Sequence, residues 1–548
     1  FVSKTNSSPN IFNERQMKGK EWDEPKHLEI KKLESLGAFR RVWEDDPEIE
    51  GMCPVDTMWA GRCKIKSDGS PGECSGRCVL RGDLHNKTYN ITKNDSFSPV
   101  VRNSSLMVLE AIAVLFNWGY VSWDITGAYL QGKQRKNEQV LARPPMGYRE
   151  VDERGKRLYW LMESPLYGQG DAGAIWNRTI NDYVHEEEQG LKYDRIHYEP
   201  CVYTADTQTD RTRVLGLYVD DGRTYYHRVA GRPIAEKEMS KLGGRFAMKI
   251  GKWDPEEDYF LGGNRRAFGD KRIHVSAKTY IGEMAKRYLD PAAKYPGSWE
   301  DTPASEELVK AYEFAITTRP TPSPELKKKY GSLFGALLHA TKYRPEIMAA
   351  LGLCGTCLTI CTDDLYRCLL RVLVYLVRTD SLGVSFSKDA PGGEKLKAYV
   401  DSNWATSRST TGFLIMLAGG VVLAASRRQH CIAMSSTEAE LIALGDLALE
   451  LLYVRGLAES LGLDVADAIE TFTDNKGAYD LCHRFSSANH SRHVERKVFK
   501  MRELRGASVV TVSLVTGDSN PADLFTKIVS KQLFDKYRKF ILGTQGAP

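Results

Sequence analysis

The strongest constraint on this chain is a pair of adjacent acids, Asp220 and Asp221, set between two alternating apolar segments. Residues 214–219 read Val-Leu-Gly-Leu-Tyr-Val and residues 223–226 read Arg-Thr-Tyr-Tyr, with Asp220-Asp221-Gly222 between them. Alternation of period two around such a turn predicts a β-hairpin with both carboxylates at its tip. Adjacent like charges repel unless a cation neutralises them. An isolated Asp-Asp-Gly turn is ordinarily just solvated, so its partners decide. Asp124 lies near the end of a predicted strand over residues 120–125. A strand end beside a hairpin tip brings a third carboxylate within one ion's reach. Hard oxygen ligands suit magnesium, and two such ions clamp the attacking and leaving oxygens of an in-line displacement at phosphorus.

A second acidic pattern begins near Lys395, where the predicted order is strand, strand, strand, helix, strand, helix, helix, strand, helix. Residues 396–400 alternate and end at Asp401; residues 411–418 and 421–425 make a hairpin over Gly419-Gly420. Ser435 caps a long helix whose leucines at 441, 444, 447, 451 and 452 recur at helical spacing. Asp474 ends a strand over residues 469–473, and Asn520-Pro521 opens the last helix with Asp523 in its first turn. Carboxylates converging from separate elements are destabilising without divalent cations, and with two metals they activate water against a phosphodiester. Each acid alone reads as a surface cap; their joint order does not.

At 548 residues the chain is too long for one core and predicts three or four domains. A net charge of +5 is compatible with a polyanionic partner without demonstrating one. The 11 cysteines, odd in number and scattered, point to a reducing compartment rather than a disulfide scaffold. Cys354, Cys357 and Cys361 lack a second pair at zinc spacing and sit among apolar neighbours, so they predict a buried helical face. No apolar run is long enough to span a bilayer, and the first residues, Phe1-Val2-Ser3-Lys4, show no signal-peptide core, so the chain reads as a fragment of something longer. Residues 1–20 are expected to be linker or disordered. Residues 104–117 and 173–188 predict helices; residues 296–325, rich in Pro, Ser and Thr, are the best linker candidate; residues 326–380 look helical.

Several motifs carry a family resemblance. Tyr218-Val219-Asp220-Asp221 resembles the Y-V-D-D box of reverse transcriptases. Residues 123–132, Trp-Asp-Ile-Thr-Gly-Ala-Tyr-Leu-Gln-Gly, resemble the copia-type segment D-V-K-T-A-F-L-N-G, and residues 97–102, Phe-Ser-Pro-Val-Val-Arg, resemble its F-S-P-V-V-K. Ser164-Pro165-Leu166-Tyr167-Gly168 with Trp176 is similar to S-L-Y-G-L-K-Q-A-P-R-A-W, and Pro200-Cys201-Val202-Tyr203 to D-P-C-L-Y. Further on, Ala398-Tyr399-Val400-Asp401 resembles G-Y-S-D, Ser435-Ser436-Thr437-Glu438-Ala439-Glu440 resembles S-S-T-E-A-E, Phe472-Thr473-Asp474-Asn475 resembles Y-C-D-N, and residues 522–527 resemble A-D-I-L-T-K. On these motifs, over roughly residues 21–540, the chain resembles the reverse transcriptase and RNase H region of copia-type (Pseudoviridae-like) LTR retrotransposon polyproteins.

The resemblance implies an α+β and α/β multidomain fold: a right-hand polymerase of fingers, palm and thumb, a helical connection, and an RNase H-like mixed-sheet domain. The implied boundaries are 21–295 for fingers, palm and the start of the thumb, 296–394 for linker and helical thumb or connection, 395–530 for the RNase H-like domain, and 531–548 for a tail. Asp124, Asp220 and Asp221 take the positions of the polymerase's metal-binding acids. Asp401, Glu440, Asp474 and Asp523 take those of the nuclease, each site holding two Mg2+, with Mn2+ as the alternative. Glu440 is preferred to Glu438, which suits the helix N-terminus. Tyr129 falls where the family gates against a ribose 2′-hydroxyl, and Arg77, Arg81 and Gly168 are the other implied substrate-binding residues, guanidinium forks being suited to a triphosphate. The implied partners are RNA template, DNA primer, RNA–DNA hybrid and dNTPs, together with the capsid, protease and integrase of the polyprotein, and no membrane. The implied location is cytoplasmic particles or the nucleus.

Two departures stand out. Gln169-Gly170-Asp171-Ala172-Gly173 replaces L-K-Q-A-P, placing an acid where template and nucleotide are expected. Residues 515–519 lack the loop histidine of many RNases H; His493 either substitutes for it or is simply packed or exposed. Basic residues 427–428 and 492–502 are candidates for tracking a phosphate backbone. The rival expectations are a decayed remnant that only binds nucleic acid and a host-recruited nuclease confined to hybrid cleavage.

Overall fold

The computed structural model describes residues 11–17, 19–65, 71–405, 408–465, 467–483 and 492–544. An N-terminal body is built on a six-stranded sheet of Ile11–Asn13, Val55–Ile65, Leu141–Arg143, Leu158–Met162 and Phe39–Trp43, with Pro71–Leu80 paired to Val55–Ile65. The helix Asp23–Ser35 closes its core of Trp22, Leu33, Trp59 and Trp160.

A second six-stranded sheet runs in the order Met248–Trp253, Trp118–Ile125, Asp221–His227, Arg213–Tyr218, Val202–Ala205, Asp194–Arg195. Side chains on a strand alternate faces, so each of these strands feeds two cores. Tyr120, Val214 and Tyr225 join the cluster of the buried helix Asn103–Leu115. Val121, Trp123, Leu215 and Leu217 join the cluster of Trp176, Met239 and Leu242 on the opposite side. A buried ion network braces this region: Arg265 Nε donates to Glu110 Oε2 at 2.8 Å, and Arg223 binds both Glu110 and Asp258. Burial pushes the Glu110 carboxyl up, but the Arg265 and Arg223 charges outweigh it and hold the group below its ordinary value.

A four-stranded sheet follows, Glu257–Phe260, Gly263–Phe268, Arg272–Ser276 and Gly383–Ser387, with the helices Lys278–Tyr288, Glu306–Thr318, Pro324–Ala340, Met348–Thr356 and Asp363–Arg378 between its third and fourth strands. The C-terminal sheet runs Gly420–Arg428, Thr410–Leu417, Lys397–Asn403, Ile469–Thr473, Val510–Leu514, antiparallel for three strands and then parallel. Parallel pairing requires long crossovers, which the helices Ser436–Ser460, Lys476–His483 and Arg492–Gly506 supply. The molecule is thus a mixture of α+β and α/β parts, with a five-stranded mixed sheet at its C-terminal end.

Several expectations need correction. Ile11–Asn13, expected in a linker, pairs with Val55–Ile65, while residues 1–10 lie outside the described residues. The expected linker at 296–325 contains Glu306–Thr318, anchored by buried Leu308, Ala311 and Ala315. Asp523 sits in the single 3-10 turn Pro521–Phe525 rather than in the last helix. That helix is Lys531–Ile541, capped by Ser530 and buried through Phe534, Tyr537 and Phe540, so this part of the expected tail is packed into the core. Cys63 and Cys74 face each other across a hairpin and are disulfide-bonded, against the reduced state expected throughout. Cys354, Cys357 and Cys361 are buried as expected. Among the described residues no helix is long and apolar enough to cross a membrane.

Candidate functional site

The hairpin forms, but its turn lies one residue earlier than the expected Asp220-Asp221-Gly222: Tyr218 pairs with Asp221, so Val219 and Asp220 make the turn and Asp221 opens the return strand. Val219 has φ +58°, a left-handed conformation that a β-branched residue adopts only under constraint. The constraint is Trp176, whose Nε1 donates to the Val219 carbonyl at 2.6 Å. The neighbouring strand Trp118–Ile125 pairs antiparallel with Asp221–His227, in a register that sets Asp124 opposite Asp221. The Ile125 N–H donates to the Asp220 carbonyl at 2.8 Å. Backbone bonds therefore carry all three acids to one corner. Burial, then the charges of Asp220 and Asp124, pushes the Asp221 carboxyl up to about 6. Asp220 is also raised, by burial and then Asp124, with Arg77 opposing.

Tyr129 lies in the turn Ala128–Gln131, half-buried, its phenol raised by burial and then by the charge of Asp220. Its ring is 6.3 Å from that of Tyr167. Arg77 stacks over Tyr167 at 5.1 Å and bears on Asp220, so it belongs to the corner. Arg81 instead pairs with Asp83 at 2.8 Å. Gly168, with φ +86°, lies so close to the strand Pro71–Leu80 that a Cβ would stand 2.3 Å from the Leu80 carbonyl oxygen. Its position serves close backbone approach. Asp171 in the altered segment is buried, not presented to an open site; its charge bears on the buried His85, whose Nδ1 accepts the Gly170 N–H at 3.3 Å.

The second corner is built by parallel pairing. Tyr399 lies opposite Phe472, so Asp401 and Asp474, each two residues further on, leave adjacent strands side by side. Asn520 pins the turn carrying Asp523, its Nδ2 donating to the Val400 carbonyl at 2.9 Å and its Oδ1 accepting the Ala522 N–H at 3.2 Å. Oxygens of Asp401, Asp474 and Asp523 all lie within 4.8 Å of one another. Glu440 reaches in from the helix Ser436–Ser460: its Oε1 accepts the Ser402 N–H at 2.8 Å, while its buried Oε2 has no donor among the described residues. Glu438 serves the helix start, accepting the Met434 N–H at 2.9 Å beside the Ser435 cap. Burial and then Asp401 push the Glu440, Asp474 and Asp523 carboxyls above their ordinary values.

Three carboxylates with mutually close oxygens, and Glu440 beside them within reach of the charges of Asp401 and Asp474, form an oxygen-only ligand set, which fits a hard divalent cation such as Mg2+. His493 falls in the helix Arg492–Gly506, its side chain outside the described residues. The basic cluster there is largely internal: Lys497 binds Asp446 at 2.6 Å, Lys500 binds Glu503 at 3.1 Å and Arg502 Nε donates to the Leu481 carbonyl at 2.8 Å. Arg427 pairs with Glu450 at 2.8 Å. The structural parts of the site that sequence reasoning missed are Trp176, quoted only as a motif residue, and Asn520, read only as a helix start.

Residues 42–232 match the family described as "Reverse transcriptase (RNA-dependent DNA polymerase)". The Pol polyprotein of transposon TNT 1-94 from Nicotiana tabacum is 24% identical over 522 residues, covering 94% of this chain and 37% of the relative. The Pol polyprotein of transposon RE1 from Arabidopsis thaliana is 25% identical over 502 residues, covering 90% of this chain and 32% of the relative. The chain thus spans about a third of the length of these curated relatives. A foamy viral protease-reverse transcriptase solved with double-stranded DNA superposes with a TM-score of 0.48 at 13% identity, covering 91% of this chain and 84% of that one.

Proposed function

We propose that this chain, whose residues 42–232 belong to the reverse transcriptase family and which is a homologue of copia-type Pol polyproteins over most of its length, works as a two-site enzyme of nucleic-acid replication. One site extends a DNA primer on RNA or DNA from dNTPs; the other hydrolyses RNA in the resulting hybrid. The observation that carries the reading is the register of Asp124 opposite Asp221, beside a turn that Trp176 holds and Tyr129 overlooks.

Asp124, Asp220 and Asp221 would hold Mg2+, or Mn2+, at the first site; Asp401, Glu440, Asp474 and Asp523 would hold it at the second. When bound, such ions supply charge neutralisation and orientation of the attacking and leaving oxygens. The chain's own contributions are local. Tyr129 narrows the space where a 2′-hydroxyl would sit. Arg77, stacked on Tyr167, offers a guanidinium to phosphate oxygens. At the second site Ser402 orients Glu440 through a backbone bond, leaving the other carboxylate oxygen free for a ligand.

The test is primer extension on poly-rA/oligo-dT with Mg2+, beside hydrolysis of a labelled hybrid. Asp220→Asn is expected to abolish extension and spare hydrolysis, and Asp474→Asn the reverse. Hydrolysis without extension by the unaltered chain would favour a host-recruited nuclease; neither activity, with hybrid binding retained, would favour a decayed remnant.

A further inference from the structure

The turn that carries Asp523 does not simply end. Two residues after Phe525 both fold back onto the acids. Thr526 Oγ1 donates to Asp401 Oδ2, and Lys527 Nζ stands 2.8 Å from Asp523 Oδ1. The two partners differ in access: the Asp523 side chain is 8% exposed and that of Lys527 is 45% exposed. A flexible four-carbon stem thus reaches from solvent into a buried acidic cluster. Its tip has somewhere to go.

We propose that Lys527 is a tethered cation, occupying the Asp523 side of the four-acid cluster in the metal-free protein and displaced from it when a divalent ion binds. The inference rests on the hydrolytic reading of this site and deepens it. Without a counter-charge, the carboxylates of Asp401, Glu440, Asp474 and Asp523 repel one another in a largely buried place where water screens them weakly. Lys527 and Thr526 relieve part of that repulsion before any ion arrives. A divalent ion at Asp523 cannot share that carboxylate with an ammonium in contact, because the two cations repel. The ion must displace the lysine, so Lys527 sets how much metal the site needs. It is a positioning residue that acts on metal occupancy and not on the phosphodiester.

The experiment is calorimetric titration of Mn2+ into the full chain carrying Asp220→Asn and Asp221→Asn, which weakens the first site's contribution. Lys527→Met and Lys527→Gln are compared in that background with Lys527→Arg and with an added Asp474→Asn. Lys527→Met and Lys527→Gln are expected to bind Mn2+ about tenfold more tightly, while Lys527→Arg stays near the parent. In EDTA, both neutral variants are expected to melt below the parent and to recover once Mn2+ is saturating. A purely structural ion pair would reproduce the loss in EDTA but not the gain in affinity. Unchanged or weaker Mn2+ binding by both neutral variants overturns the inference and leaves the hydrolytic reading intact. Absence in the parent of any Mn2+ binding that Asp474→Asn removes overturns both.

Discussion

Single side chains in this molecule act mainly by what they do to the backbone beneath the acids. Trp176 is the clearest case, since its indole N–H meets the carbonyl of a valine in a left-handed turn. Trp176→Phe keeps one aromatic ring but removes the bond, at roughly 1 kcal/mol, and leaves a cavity where the rest of the buried indole stood, which adds to that cost. Primer extension is expected to fall several-fold while hybrid hydrolysis and the far-ultraviolet dichroism stay unchanged. Asp221 illustrates the opposite balance, in which function costs stability. Its folded pKa, raised to about 6 by burial, Asp220 and Asp124, lies above the usual carboxylate value. The folded state therefore binds the proton more tightly, so metal-free stability declines as pH rises from about 4 to about 6 and the full penalty persists above that. Asp221→Asn is expected to raise the Tm in EDTA at pH 7.5, with little gain at pH 4.5, while abolishing extension; an equal gain at both pH values would contradict this. The hairpin was legible in the sequence from its alternation, whereas the Asp-Asp-Gly signal put the turn one residue late, because Val219 takes the left-handed position that the glycine was expected to supply. Glu440 was separable from Glu438 because one suits a helix start and the other continues inward. Trp176 was not legible in this role: nothing in a sequence says which carbonyl an indole will meet.

Elements here owe their positions to close approaches and buried charge as much as to apolar faces. Gly168 has a positive φ and no room for a Cβ against the Leu80 carbonyl. Gly168→Ala is expected to destabilise by about 1–3 kcal/mol, read as a lower urea midpoint at constant slope. Glu110 holds two buried arginines from two different sheets. Glu110→Ala leaves both guanidiniums without that partner and is expected to cost about 3–5 kcal/mol, enough to threaten folding at 37 °C. The folded Glu110 pKa is depressed, so its stabilisation is present above its unfolded value and lost as pH falls toward the folded one. Glu110→Gln is therefore expected to be less harmful at pH 4 than at pH 7, by urea midpoint. Strand and helix order at the C-terminal end was readable from periodicity alone. The stretch at 296–325 misled because Pro, Ser and Thr suggested a linker, although Leu308, Ala311 and Ala315 already stood at helical spacing. Asn520-Pro521 looked like a helix start because the same residues also open a single 3-10 turn; here Asn520 is bonded to the Val400 carbonyl of the central strand.

At the scale of the whole molecule, the apolar core ignores the division into a central sheet and a C-terminal sheet. One cluster runs from Val108 and Ile112 beneath the central sheet, through Leu333, Leu369 and Val372 of the connecting helices, to Leu414, Leu444 and Tyr537 at the C-terminal end. The cluster of the N-terminal body, with Trp22, Trp59 and Trp160, is separate. Polar contacts reinforce the shared part: Ser105 Oγ donates to Glu199 at 2.6 Å, Tyr453 OH donates to the same carboxylate at 3.1 Å, and Arg102 lies over the Tyr453 ring at 4.4 Å. No periodicity could reveal this, because contacts between residues separated by hundreds of positions leave no local pattern. Ordinary domains joined by a small interface would unfold independently. A continuous core instead makes the central sheet, the connection and the C-terminal sheet one cooperative unit, with the N-terminal body free to open first. Hydrogen exchange is expected to show amides of Trp118–Ile125, Asp363–Arg378 and Lys397–Asn403 sharing one opening free energy, higher than that of Leu158–Met162. Removing residues 395–548 would strip one side of that core, and since each uncovered large side chain forfeits about 1.5–3 kcal/mol, the shortened chain is expected to aggregate rather than survive as a folded fragment. A soluble, cooperatively melting fragment with full extension activity would show that the junction is an interface and not a core.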